Sequence, residues 1–222
     1  YLASYIPITF EHESNIFVTQ INFSTLILFL GFSCLMSSLC IINQISDKKS
    51  DKINKKLFLI DVKYSDDYTK KVIKSLLLVS FLILLFTHWM ILIIGCFICL
   101  IYGYLYSIHT IKYKKKPLAG LFCKVVVGVL LIYAGYIHSN NIYGILNFNL
   151  FLLALPYILF FSSICLIVDI PDIKGDMKDD CNTFPVKYGI KMTTFISTLL
   201  NGIALIISIK MQDPLASTAI AV

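Results

Sequence analysis

An acidic segment closes a long apolar run in this sequence. The run from Phe148 to Val168 ends in Asp169, Asp172 and Asp176, which are three and four residues apart. If this turn is roughly helical, that spacing places all three carboxylates on one face. Like charges on one face repel, and so the spacing favours a cation between them. Hard oxygen ligands suit Mg²⁺, which takes one or two carboxylates and leaves its other positions to phosphate or water. A solvated acidic loop after a helix is the alternative interpretation.

A second acidic stripe follows another apolar run. Asn43, Asp47 and Asp51 are spaced by four residues, so a helix would carry them on one face. The lysines beside them, Lys48, Lys49 and Lys52, would point elsewhere or toward an anion. Two such stripes, each at the end of an apolar helix and each beside lysines, favour a shared site. Together they would hold one or two Mg²⁺ ions bridged by a diphosphate.

The composition excludes a soluble globular protein. The 222 residues are 58% hydrophobic and 14% charged, with a mean hydropathy of +0.81. The apolar runs are too long and too many for one buried core. The sequence therefore predicts an all-α, polytopic transmembrane helical bundle. We expect a single domain over residues 1–222, incomplete at both ends, that lies in the lipid bilayer and binds no nucleic acid.

The apolar runs predict seven helices. A partial helix ends near Phe10, and six segments follow over about residues 24–45, 72–86, 89–106, 118–137, 149–168 and 190–209. Residues from Asp213 onward are expected to begin a further helix. A hydrocarbon core of ~30 Å needs about 20 helical residues. The segment 72–86 is therefore short, and its N-terminal end is expected to lie in a lysine-rich interface.

The lysines predict the orientation of the bundle. All 19 basic residues are lysine, and 17 of them fall within residues 47–74, 109–117 and 170–191. The loops Glu11 to Asn22 and His138 to Asn147 carry none. Basic residues concentrate in cytoplasmic loops, so this alternation places both acidic segments on the cytoplasmic side.

The two acidic segments carry a resemblance to a known family. The stretches NQISDKKSD from Asn43 and DIPDIKGD from Asp169 resemble the two acidic motifs of the UbiA superfamily of intramembrane prenyltransferases. A third and weaker match is Tyr106-Ser107 followed by a basic loop. Gln44, the phrase DIPDIKGD and Val62-Lys63-Tyr64-Ser65 look most like the homogentisate prenyltransferase branch.

The resemblance implies a bundle of about nine helices, of which seven are recognisable here. It also implies Mg²⁺-dependent transfer of a prenyl group from a prenyl diphosphate to a lipophilic acceptor, with an aromatic acceptor expected. The implied catalytic residues and metal ligands are Asp47, Asp51, Asp169, Asp172 and Asp176. The implied substrate-binding residues are Asn43, Lys52, Tyr106, Ser107, Lys112, Lys114 and Lys178.

Three points stay open in the sequence. Lys124 lies about two turns inside the apolar segment 118–137, where its side chain either extends to the interface or reaches the anion. Transfer to an isoprenoid glycerol phosphate or to a quinone precursor is the alternative within the enzyme class. A cation transporter is the alternative outside it, although transporter sites usually lie at the membrane midplane and not at one face.

Overall fold

The described part of the chain is helical, with no β-strand. The computed structural model describes residues 23–56, 64–108, 112–140 and 148–221. The predicted partial helix ending near Phe10, the loop from Glu11 to Asn22 and the pair Val62-Lys63 lie outside these ranges. Within them the elements follow in the order α1 Phe23–Ser46, α2 Lys48–Ile53, α3 Asp66–Thr87, α4 Trp89–Ile98, α5 Pro117–Asn140, α6 Phe148–Ile167, α7 Ile173–Lys178, α8 Phe184–Lys210 and α9 Pro214–Ala221.

Five of these segments are long and apolar enough to cross a membrane. They are Phe23–Ser46, Trp89–Ile108, Pro117–Ser139, Phe151–Lys178 and Phe184–Lys210. Many of their large apolar side chains face outward, as a lipid-facing surface requires; Phe23 is 77% exposed and Phe122 68%. The prediction of a polytopic transmembrane helical bundle is confirmed.

Two predicted helix starts were too late. The third helix begins at Asp66, six residues before the predicted Val72, because Ser65 caps it: the Ser65 hydroxyl accepts a hydrogen bond from Tyr68 N–H at 3.3 Å. The last long helix begins at Phe184 and not at Ile190. Its first residues form a separate helical piece, because the backbone at Gly189 leaves the helical region with φ 81° and ψ 162°. Apolar periodicity does not detect a first turn that is polar, or a first piece that a kink separates from the rest of the helix.

The helices pack into a main cluster and a smaller one. The main core lies between α1, α3, α4 and α5, with Leu35, Leu84 and Ile98 fully buried at its centre. The second cluster joins Tyr157 of α6 to Ala204 of α8 and to α9. Helices α1 and α6 end, and α5 begins, at the side of the bundle that carries both acidic segments.

Candidate active site

Both acidic segments fold as short helices beyond the ends of long ones. The first leaves α1 and continues as α2, with Asp47 at its N-cap position. The second leaves α6 through a 3₁₀ turn, Ile170–Asp172, in which Pro171 occupies the first turn, and continues as α7. Helices α2 and α7 pack against each other. The structure therefore brings together the two segments that the sequence analysis assigned to one site.

A cavity of about 240 Å³ lies between these segments. Its lining includes the amide of Asn43 and the five predicted carboxylates, with three lysines opposite them. Two tyrosines and several smaller side chains complete the wall; the lining residues are Asn43, Asp47, Asp51, Lys56, Tyr102, Tyr106, Lys114, Lys124, Val168, Asp169, Asp172, Asp176, Cys181 and Thr183. The five carboxylates exceed the three ammonium groups, so the cavity carries a formal negative excess.

Each of the three lysines lies against one carboxylate. Lys114, only 5% exposed, pairs with Asp47 and donates to the Ser46 hydroxyl at 2.9 Å. Lys56 pairs with Asp172. The ammonium of Lys124 lies 2.6 Å from Asp169 Oδ1.

Lys124 therefore reaches into the site and does not extend along the helix to the interface. Its ammonium also lies 6.0 Å from the centre of the Tyr106 ring. Of the two alternatives that the sequence left open, the structure favours the one that takes Lys124 to the charged groups. Removing a single partner of such a pair leaves a charge with little solvent to stabilise it.

The negative charges of the remaining two carboxylates, Asp51 and Asp176, are less well compensated. Asp176 accepts hydrogen bonds from the Thr183 hydroxyl at 3.0 Å and from the Ser50 hydroxyl at 3.3 Å. Burial, together with the carboxylates of Asp47 and Asp172, raises the pKa of Asp51 to about 6. The raised pKa of Asp51 therefore reflects its burial first and the neighbouring carboxylates second, and a bound cation would oppose both effects.

The aromatic wall comes from a segment of unusual helical geometry. After Ile98, α4 widens into π-type hydrogen bonding over Cys99–Ile108. Tyr102 and Tyr106 stack there with ring centres 4.8 Å apart, and both line the cavity. The Ser107 hydroxyl lies 3.2 Å from Asn43 Oδ1 and so ties this segment to the first acidic stripe. Such π-type segments are frequent at functional sites.

Most of the predicted site residues meet at this cavity. The five carboxylates, Asn43, Tyr106 and Lys114 line it, and Ser107 contacts Asn43 from behind. Lys52, Lys112 and Lys178 are not among the lining residues that the structure describes. The side chains of Lys52 and Lys178 are exposed, and Lys112 lies in a separate, mostly apolar groove beside Ile45 and Ile108.

The structure adds residues that the sequence analysis did not select. Lys56 and Tyr102 line the cavity, and so do Cys181 and Thr183. Lys56 lies five residues after Asp51 in a lysine-rich run, and nothing in that run distinguishes it from its neighbours. Burial raises the pKa of the Cys181 thiol to about 12, so this thiol stays neutral.

No three His, Cys, Asp or Glu side chains within the described ranges converge closely enough to hold a metal ion by themselves. The three carboxylates that follow α6 were expected to share a cation between them. Instead, Asp169 and Asp172 contact different lysines, and Asp176 contacts hydroxyl groups. A metal ion in this cavity would therefore draw one or two ligands from the protein and the others from its substrate and water.

Comparison with known families identifies the arrangement. Residues 16–222 match the model of the UbiA prenyltransferase family. The chain belongs to that family. The predicted membership is thereby confirmed, although the homogentisate branch is not resolved, because relatives from more than one branch match.

Two relatives illustrate this range. A digeranylgeranylglyceryl phosphate synthase of Methanobrevibacter smithii is 27% identical over 192 residues, which cover 83% of this chain and 65% of that protein. Homogentisate phytyltransferase 1 of Arabidopsis thaliana is 29% identical over 194 residues, which cover 80% of this chain and 48% of that protein. The chain thus spans between about half and two thirds of the length of these two relatives.

Solved structures share the fold. A UbiA homolog from Archaeoglobus fulgidus bound to GPP and Mg²⁺ superimposes with a TM-score of 0.73 at 17% identity. The superposition covers 100% of this chain and 80% of that one. The described helices therefore share the fold of that protein.

Proposed function

We propose that this protein transfers a prenyl group from a prenyl diphosphate to a lipophilic acceptor, with Mg²⁺ bound at the acidic cavity. One observation carries the proposal: five carboxylates from two separate segments and three lysines line a single cavity at the end of an apolar helical bundle. Such a cavity suits a substrate with a highly charged head and an apolar tail.

The donor set fits Mg²⁺. The cavity offers hard oxygen ligands and carries a formal negative excess. One or two carboxylates would hold each Mg²⁺ ion, drawn from Asp47 and Asp51 on one side of the cavity and from Asp169, Asp172 and Asp176 on the other. Bound Mg²⁺ supplies charge neutralisation that makes the diphosphate a better leaving group.

The lysines would bind the same diphosphate. Lys56, Lys114 and Lys124 already face into the cavity, where each neutralises one carboxylate. An ammonium within 4 Å of a diphosphate oxygen interacts with it by roughly 4 kcal/mol at an effective dielectric constant of about 20. These three lysines would therefore orient the head group and offset the charge that develops on it as the allylic carbon–oxygen bond breaks.

The tyrosine pair would stabilise the positive charge that develops on the allylic carbon. The stacked rings of Tyr102 and Tyr106 present a π-surface to the cavity, and such faces attract a cation. Among the Phe and Tyr residues that the structure describes, these two line the cavity. The acceptor nucleophile would then bond to the allylic carbon as the carbon–oxygen bond to the diphosphate breaks, and its proton would pass to the released diphosphate. The apolar helices would limit the access of water to this step.

The acceptor class has two candidates. Relatives include a digeranylgeranylglyceryl phosphate synthase and a homogentisate phytyltransferase, which support an isoprenoid glycerol phosphate and an aromatic acceptor respectively. The cation-transporter alternative has no support from the comparisons, because the family that matches is a prenyltransferase family.

Membranes containing the full chain test the proposal when they are incubated with isotope-labelled prenyl diphosphate and each acceptor in turn. We expect label to enter a lipophilic product with one acceptor class, to stop with EDTA and to resume with added Mg²⁺. Turnover that persists in excess EDTA would contradict the metal assignment. Cation flux across the membrane without any transfer would instead support a transporter.

A further inference from the structure

Asp172 occupies the N-cap position of α7 but does not cap that helix. The first N–H groups of a helix have no partner within it, and an aspartate at the N-cap position usually accepts from one of them. Here the Asp172 side chain makes no such bond and is turned toward Lys56 in the cavity. Another group must therefore satisfy the first turn of α7.

Asn54 supplies that group from the other acidic segment. Its backbone ends α2, and its side-chain oxygen accepts a hydrogen bond of 2.8 Å from Gly175 N–H, in the first turn of α7. Its side-chain nitrogen lies 3.2 Å from Asp172 O and 3.4 Å from Asp172 Oδ1. One amide thus caps α7 and contacts the residue that would otherwise cap it.

The absence of a side chain at Gly175 makes this contact possible. A Cβ placed at that position would lie 2.5 Å from the carbonyl oxygen of Ser50 and 2.7 Å from its hydroxyl, and it would collide with the side-chain nitrogen of Asn54. Since the Ser50 carbonyl belongs to the backbone of α2, the two short helices would have to separate. Gly175 therefore sets how closely the two acidic segments approach each other.

We propose that Asn54 is a positioning residue: by capping α7 in place of Asp172, it keeps the Asp172 carboxylate turned into the cavity and holds the two acidic segments in register. This inference rests on the proposed function, because it assumes that Asp172 binds the metal–diphosphate complex. Residues that orient metal ligands typically change metal affinity or activity by about 10- to 100-fold when they are replaced.

Binding of Mn²⁺ with inorganic pyrophosphate to the purified full chain tests the inference without relying on turnover. We expect Asn54→Ala to weaken binding by about 10- to 100-fold. In an Asp172→Asn background the same change should have less than about a twofold effect, because interacting residues are not additive. Asn182→Ala, an exposed asparagine at the same end of the bundle, is the matched control and should bind like the parent protein.

Gly175→Ala provides a second variant in case Asn54→Ala does not fold. Alanine favours a helix more than glycine does, so helicity should be retained while binding is weakened as in Asn54→Ala. Gly202→Ala is its control, since a Cβ there meets nothing within 4 Å.

Equal binding by the parent protein, Asn54→Ala and Gly175→Ala would overturn the inference and leave the proposed function standing. Full additivity of Asn54→Ala with Asp172→Asn would also overturn it. If the parent protein itself binds no Mn²⁺ with pyrophosphate, the proposed function fails and the inference fails with it.

Discussion

Two sets of lysines lie near the acidic segments, and the structure places them very differently. Lys56, Lys114 and Lys124 face the carboxylates across the cavity. Lys52, Lys112 and Lys178, which the family resemblance implied as substrate ligands, do not line it in the described part of the chain. Two lysine-rich runs therefore divide their residues: Lys56 and Lys114 line the cavity, whereas Lys52 and Lys112 from the same runs do not. The loop sequence alone does not reveal that division.

The carboxylates facing the first set of lysines should give the largest effect. Asp172→Ala or Asp47→Ala removes a proposed ligand of Mg²⁺, and we expect turnover to fall by about 100-fold or more. Labelled-product formation per folded molecule measures it. Asp67→Asn, an exposed carboxylate of α3, is the control and should retain its rate. Equal rates in Asp172→Ala and Asp67→Asn would assign Asp172 to structure.

The lysine comparison itself is tested by a matched pair. Lys114→Met removes a buried ammonium from the place where the diphosphate of the donor is proposed to bind. A hydrogen bond to a charged group contributes about 1.5–3 kcal/mol, so its loss should raise KM for the prenyl diphosphate by about 10- to 100-fold. Lys112→Met should change that KM by less than about twofold, because interactions away from a site are weak. The KM for the acceptor should change little in both variants. A larger effect at Lys112 than at Lys114 would reverse the assignment.

Replacing Lys124 should raise KM for the donor less than replacing Lys114 does. Lys124→Met keeps most of the side-chain volume and leaves Asp169 without its ammonium partner, so we expect KM for the donor to rise by about three- to tenfold. Because this ammonium is enclosed, its contribution should persist at high salt, whereas the contribution of exposed lysines should fade. Donor kinetics at low and high salt measure the difference. A Lys124 effect abolished by salt would place this lysine in contact with solvent and not in the cavity.

Much of the fold could be predicted because lipid imposes a simple pattern. Each spanning helix needs a long apolar run, and the bounds of α1, α5 and α6 follow such runs within a few residues. The early starts of α3 and α8 were missed, because Ser65 caps one helix and Gly189 divides the other. The predicted cytoplasmic placement of both acidic segments stays a prediction.

The site was predictable where its residues repeat at helical spacing. The two acidic stripes have that spacing, so their carboxylates could be assigned to one site from the sequence. Tyr102, Lys56 and Asn54 have no such signal. Their positions depend on the π-type turns after Ile98 and on the packing of α2 against α7, which arise only in the assembled bundle.

The central claim is that the acidic cavity binds a prenyl diphosphate together with Mg²⁺. Calorimetric titration of GPP into the purified chain, with and without Mg²⁺, tests it most directly. We predict saturable binding that requires Mg²⁺, is lost in Asp47→Asn and is retained in Asp67→Asn. Equal GPP affinity in the presence of EDTA, or equal affinity in Asp47→Asn and the parent protein, would contradict the account.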